Sequence, residues 1–252
     1  MKKTILTTII SLQIFILFSQ ETTKNERIKF KISTIKSFDE DGNLKSIEEF
    51  NTNGDLVKVL DKDKIVEKEL IYNDKKQISK ELRYDSNGII SNTIIFYYNS
   101  KEQLVEKKLI DSHGEIDTSW LFEFNENNQL LKETRESLAS GKSITKFKYK
   151  NSKLDKTILT NNTIGKESQT SFKYDKKGRL SIKKTRYYYS NTTMTWNYTY
   201  NEKGKLITLT DQSSNGVKST TTYKYNSNDL VIKVNWRGSF SNEDYITKYT
   251  YE

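Results

Sequence analysis

The stretch Phe172-Lys-Tyr-Asp-Lys-Lys-Gly-Arg-Leu180 predicts a strand end, a tight turn and the start of the returning strand. Phe172 and Tyr174 alternate with a lysine, so both rings point to one face of an extended strand. Asp175 suits the first turn position, because its carboxylate accepts bonds from the backbone that follows. Gly178 suits a left-handed position, so Gly178→Val is expected to damage the fold more than Gly141→Val. The side chains that this turn leaves pointing outward, free for function, are Lys173, Lys176, Lys177 and Arg179.

Variants of this turn recur from Phe38 to the end of the chain. In the first half consecutive units start 10 to 14 residues apart, whereas later aromatic anchors stand 25 or 26 residues apart. The wider spacing arises where looser turns, such as the one at Gly141, alternate with tight ones. A fixed period is typical of array folds. The later anchors are Phe124, Tyr149, Tyr174, Tyr200, Tyr225 and Tyr251.

Counting these turns predicts about eighteen short strands, each joined to the next by a hairpin in an antiparallel meander. Pairs such as Phe172 and Tyr174, or Tyr198 and Tyr200, place rings on one face and predict an aromatic ladder. Open sheets rarely exceed about ten strands without curling. We therefore predict that residues 31–252 form an all-β hairpin array that curls into a spiral, shell-like or barrel-like sheet. The sequence does not choose between closure, a spiral and a stacked pair of sheets.

The segments Tyr174-Asp-Lys-Lys-Gly-Arg-Leu180 and Tyr200-Asn-Glu-Lys-Gly-Lys-Leu206 resemble the YD repeat of the Rhs family, whose pattern is Tyr-Asp-x-x-Gly-Arg-Leu. The second segment departs from it by Asn and Lys. In that family the repeats form a long sheet that spirals into a hollow shell. The resemblance covers the repeat region only, and it implies a β-repeat fold and an exported location without a toxin domain.

Residues 1–20 have the features of a secretory signal peptide, with Lys2 and Lys3 ahead of the apolar run Thr4–Phe18. Residues 21–30 form a polar lead-in without periodicity. No later segment is apolar enough to cross a membrane as a helix. The absence of cysteine excludes disulfides and a lipid-modified cysteine, so the prediction is an exported protein, periplasmic or extracellular, that is not a lipoprotein.

Motifs for catalysis, metals and cofactors are missing from the sequence. His113, the one histidine, falls in a turn and is expected to be exposed. The acidic run Asp39–Asn43 lacks the spacing of a calcium loop, and no phosphate-binding glycine loop is present. The sequence predicts no metal, no cofactor and no enzyme. A hydrolase with an unrecognised carboxylate site stays an alternative, because Asp and Glu total 33.

The candidate ligand-binding side chains break the ladder by their concentration. Adjacent rings on a strand cannot all face the core, so some of these tyrosines should be exposed beside cations. The candidates are Tyr187, Tyr188, Tyr189, Trp196, Lys184 and Arg186. Cross-strand packing is the simpler explanation of the same residues.

The net charge of +9 includes two lysines and no acid in residues 1–20, so the remainder carries +7. The densest basic run is Lys173–Arg186, which reads as a solvated face or as a contact for an anionic ligand. Short strands with many charges do not favour an outer-membrane strand barrel. We expect a non-enzymatic binding or scaffold surface at the bacterial cell envelope, or alternatively a glycan-binding module. The partner would be a protein or an anionic glycan; nucleic acid is not favoured.

Overall fold

The computed structural model describes residues 22–239 and 244–252, so the predicted signal peptide lies outside the described residues. One short helix, α1 (Lys24–Phe30), precedes the sheet. The strands are β1 (Thr34–Phe38), β2 (Leu44–Phe50), β3 (Leu56–Asp61), β4 (Val66–Tyr72), β5 (Ile78–Tyr84), β6 (Ile90–Tyr98), β7 (Leu104–Asp111), β8 (Ile116–Phe124), β9 (Leu130–Ser137), β10 (Gly141–Lys150), β11 (Lys153–Asn161), β12 (Gly165–Tyr174), β13 (Leu180–Tyr187), β14 (Thr192–Tyr200), β15 (Leu206–Ser213), β16 (Lys218–Tyr225), β17 (Val231–Gly238) and β18 (Tyr245–Tyr251).

These strands form one closed sheet. Each strand pairs antiparallel with the next along the chain, and β18 pairs back onto β1 through Ile35 opposite Tyr251. The predicted all-β meander is confirmed, and among the predicted forms the structure has the barrel-like closure. Closure leaves no free sheet edge, which removes the unpaired backbone groups that promote edge-to-edge aggregation.

The turns between even and odd strands form one regular end of the barrel, which we call the tight-turn rim. In the turn after Tyr174, the Asp175 amide donates to the Arg179 carbonyl at 2.8 Å, and Asp175 Oδ1 accepts from the Arg179 amide at 2.9 Å. Gly178 has φ of +82°, as predicted. Because Tyr72 and Tyr98 occupy the same rim, the period of about 25 residues already runs through the first half of the chain.

Tyrosine hydroxyls complete the backbone bonding along this rim. From β3 to β17, each odd strand has a carbonyl at its start that lies two residues outside the ladder with the following strand; it belongs to the first residue, except in β11, where it belongs to the second residue, Leu154. Tyr200 at the end of β14 donates to the Leu180 carbonyl of β13 at 2.7 Å, and Tyr225 donates to the Leu206 carbonyl at 2.6 Å. The other tyrosines that make this bond are Tyr72, Tyr98, Tyr149, Tyr174 and Tyr251.

The interior of the barrel is a lumen and not a packed core. Among the described strands, only neighbours approach within 8 Å between Cα atoms. The hydrophobic clusters around Phe122 and around Tyr198 each draw on a run of adjacent strands. A circular sheet of this strand number has a radius of roughly 18 Å, more than inward side chains fill. The rings of Trp236 and Tyr245 face inward and are still 38% and 63% exposed.

Helix α1 occupies the polar lead-in and was not predicted. Thr23 and Glu26 form a capping box, a Thr-x-x-Glu signal that the sequence does contain. Arg27 donates to the Gly54 carbonyl at 2.9 Å, and Glu26 pairs with Lys205. The helix therefore contacts two turns of the tight-turn rim, one after β2 and one after β14. Within the described ranges, no helix has the length and apolarity needed to cross a membrane.

One expectation about the opening motif is wrong, and the backbone argument for another does not hold. Arg179 is not free, because its guanidinium pairs with Asp175 at 2.6 Å and lies 4.5 Å from the Tyr200 ring centroid. Gly141 has φ of +68°, so it too occupies a left-handed position. The predicted contrast between Gly178 and Gly141 therefore has no backbone basis.

Candidate ligand-binding site

The candidate side chains divide between the two faces of the sheet. Trp196 stands opposite Lys183 and faces the lumen, whereas Lys184 and Arg186 stand opposite Ser171 and Gln169 on the outer wall. The structure therefore does not bring Trp196 together with Lys184 and Arg186.

The three neighbouring tyrosines take separate positions. Tyr187 lies opposite Ser168 at the inner face, and Tyr189 in the following turn is 90% exposed. Tyr188 lies between two cations, with Lys166 Nζ at 4.4 Å and Arg186 Cζ at 5.3 Å from its ring centroid. Tyr188 is therefore associated with the outer wall.

The inner wall carries a belt of polar and aromatic side chains, which we call the luminal belt. It runs across β13 to β18 and consists of Lys183, Trp196, Asp211, Ser219, Trp236 and Tyr245. Lys183 Nζ lies 4.5 Å from the Trp196 ring centroid, and burial lowers the pKa of this ammonium group. No carboxylate of the described chain forms an ion pair with Lys183, so an inward cation is left for an external acceptor.

The rest of the belt is a connected hydrogen-bond chain. Ser219 donates to Asp211, which stands opposite Trp196, and the Trp236 indole donates to Ser219 Oγ at 3.1 Å. Trp236 and Tyr245 pack at 5.3 Å between centroids. Gly238 leaves room for the Trp236 ring, because a Cβ there would lie 2.6 Å from it.

A second group of luminal charged side chains, on β5 to β9, contains both cations and carboxylates. Lys107 on β7 has its Nζ 4.3 Å from the Trp120 ring centroid. Glu81 on β5 and Glu133 on β9 are its nearby carboxylates. Burial lowers the pKa of Lys107, and these two carboxylates oppose that shift. Burial raises the pKa of Glu133, opposed by Lys107 and Arg135. Because its positive and negative charges neutralise one another, this group stabilises the barrel wall and needs no ligand to explain it.

The outer wall has a polar depression of about 370 Å³ between β12 and β15. Its lining side chains are amides, hydroxyls and two cations, namely Gln169, Ser171, Lys184, Arg186, Asn191, Thr193 and Ser214. His113 lies elsewhere, 84% exposed in its turn as predicted.

Sequence reasoning identified Trp196 but missed the belt around it. Trp196 lies two residues before Tyr198, just as Trp120 lies two residues before Phe122, so alternation alone assigns both indoles to the ring-bearing face. That Trp236 lies on the same wall three strands away follows only from the strand pairing.

Comparison with known proteins places the chain in no family: no family model matches, and no curated protein sequence matches. The chain is similar to a porin-like protein from Bacteroides uniformis, at 12% identity and a TM-score of 0.47, covering 88% of this chain and 96% of that one. It is also similar to a porin-like protein from Bacteroides vulgatus, at 8% identity and a TM-score of 0.43, covering 88% and 98%.

A further similar structure is that of TcdB2-TccC3-Cdc42, at 12% identity and a TM-score of 0.40. The match covers 84% of this chain and 16% of that one, so the chain spans about a sixth of its length.

Proposed function

We propose that the protein is an exported, non-enzymatic binding protein of the bacterial cell envelope, built from YD-type repeats, whose luminal belt holds a sugar ligand. The observation that carries this proposal is the belt itself. An inward ammonium group that pairs with no carboxylate among the described residues lies beside Trp196, and a carboxylate, a hydroxyl and a second indole follow on the same wall.

The chemistry of the belt suits a sugar. Indole faces contact the apolar C–H faces of sugar rings, while hydroxyl groups need donors and acceptors such as Lys183 and Asp211. Trp196 and Trp236 stand on strands three positions apart, roughly 14 Å at normal strand spacing. That separation favours an extended oligosaccharide over a single sugar.

The proposal of a binding role rather than catalysis rests on the state of the inward carboxylates. Asp211 accepts from Ser219, Glu81 is paired with Arg83 at 2.7 Å, and Glu133 lies beside Lys107. Glu48, opposite Ile35, has a pKa raised by burial, an effect that its charged neighbours Arg27 and Lys68 oppose. Glycosidases need one carboxyl group free to donate a proton and a second on the other side of the scissile bond. Engaged, dispersed carboxylates do not favour this chemistry.

The test is a screen of oligosaccharides against the purified protein, followed by titrations that record tryptophan fluorescence. Trp196→Phe and Trp236→Phe should weaken binding by about tenfold, since each variant loses stacking area and the indole N–H. Trp120→Phe is the matched control in the same lumen and should bind normally. Failure of every sugar to bind, or equal losses in all three variants, would refute the luminal site.

Two further measurements test the rest of the proposal. Turnover of any bound sugar by the purified protein would overturn the non-enzymatic role. Retention of the chain in the cytoplasm after cell fractionation would overturn its export.

A further inference from the structure

The outer wall of β10–β13 carries an unusual excess of positive charge. These strands contain only two carboxylates, Asp155 and Glu167. Six of their outward cations form what we call the outer-wall patch: Lys146, Lys148, Lys156, Lys166, Lys184 and Arg186.

On other strands, some outward cations pair with a carboxylate that stands directly opposite them. Lys58 stands opposite Glu69 and pairs with it at 3.0 Å, and Lys132 stands opposite Glu123 and pairs at 2.7 Å. Opposite charges at such positions stabilise a sheet by a few tenths of a kcal/mol to about 1 kcal/mol.

The outer-wall patch has the reverse arrangement. Lys148 stands directly opposite Lys156, and the row continues through Ser171 to Lys184. Like charges at directly opposed positions destabilise a sheet. None of these lysines forms an ion pair with a carboxylate of residues 22–239 or 244–252. The row therefore stores a repulsion that a bound polyanion would relieve.

The depression described above adjoins this row and adds neutral hydrogen-bonding groups. Lys184 and Arg186 border it together with the amides of Gln169 and Asn191 and nearby hydroxyls. Amides and hydroxyls match the hydroxyl groups of sugars, and the two cations match their anionic substituents.

Among the described residues, the outer wall offers no series of open rings at the patch, because the Tyr188 ring is engaged by cations and Tyr189 in the following turn is a single exposed ring. Both Lys166 and Arg186 lie close to the Tyr188 ring. Proteins that bind single-stranded nucleic acid combine basic grooves with open aromatic platforms. We propose that the outer-wall patch binds an anionic polysaccharide, at a site separate from the luminal belt and independent of the proposed luminal function.

The experiment measures binding of a polygalacturonate oligomer, of neutral dextran and of a short DNA duplex to the purified protein. We expect the oligomer to bind and dextran not to bind. The variant Lys156→Glu/Lys184→Glu should weaken binding by about tenfold or more and lower its salt dependence, because two charge-assisted contacts become repulsive.

Lys224→Glu/Lys233→Glu is the matched control, since these two lysines also stand opposite each other, on β16 and β17 away from the depression. It changes the net charge equally and should alter affinity by less than about twofold. Equal losses in both double variants would mean that overall charge alone drives binding, which overturns the site.

Tighter binding of the DNA duplex than of the oligomer would also overturn the proposal. Arg186→Gln, a single change at an exposed position, should also weaken binding of the oligomer. It serves as the test variant if a double variant unfolds. Trp196→Phe should leave this binding unchanged, so failure of the outer site and failure of the luminal site are distinguishable.

Discussion

The hydroxyl of Tyr200 offers a direct measurement of how the tight-turn rim is stabilised. It donates at 2.7 Å to the Leu180 carbonyl, which lies outside the ladder between β13 and β14. Tyr200→Phe keeps the ring and its packing and removes only this bond. The net loss for a hydrogen bond of this kind is about 1 kcal/mol. For a chain of this size that corresponds to a fall in Tm of roughly 2–4 °C.

The assay is urea unfolding, in which Cm should fall while the slope m stays constant. Tyr189→Phe is the matched control, because its ring is 90% exposed and its variant should unfold like the parent. The reciprocal change is Phe124→Tyr. Phe124 ends β8 at the position where the rim tyrosines end their strands, and Leu104 begins β7 at the position of the acceptor.

A hydroxyl on Phe124 should therefore reach the Leu104 carbonyl and raise stability by about 0.5–1 kcal/mol. Indistinguishable Cm values for Tyr200→Phe and Tyr189→Phe would refute the account of the rim. A destabilised Phe124→Tyr variant would show that this part of the rim has a different geometry.

Three further outcomes follow from the same structure. Burial raises the pKa of Tyr98 and Tyr225 to about 12. The contribution of these two hydroxyls to stability is therefore fully present below the pKa of about 10 in the unfolded chain and is lost as pH rises through 12. Alkaline unfolding that is unchanged in Tyr98→Phe/Tyr225→Phe would contradict this. Gly178→Ala and Gly141→Ala should each cost about 1 kcal/mol in thermal unfolding, and a harmless Gly141→Ala would contradict the left-handed turn. Arg27→Ala should make residues near α1 exchange amide hydrogens faster without unfolding the barrel; unchanged exchange would mean that the helix is held by other contacts.

Much of the fold was accessible from residues close together in the sequence. The turn at Asp175–Arg179 follows from a side chain that accepts backbone bonds and a glycine that tolerates a left-handed conformation. The inward direction of Phe172 and Tyr174 follows from alternation along a strand. The two features that were not predicted are also local. The Thr23–Glu26 capping box starts a helix, and Gly141 has a positive φ in an irregular turn.

The sequence by itself determined where strands and turns lie and which rings share a face, because these depend on neighbouring residues. Only the tertiary structure decided that the sheet closes, since closure depends on twist and stagger accumulated over all strands. Closure put Trp196 in the lumen and Lys184 outside, although the two belong to the same predicted site. It also brought Trp236 onto the wall of Trp196 and left Lys148 and Lys156 opposed, with no ion pair to a carboxylate in the described part of the chain. Strand pairing, and not sequence proximity, therefore made both candidate binding surfaces.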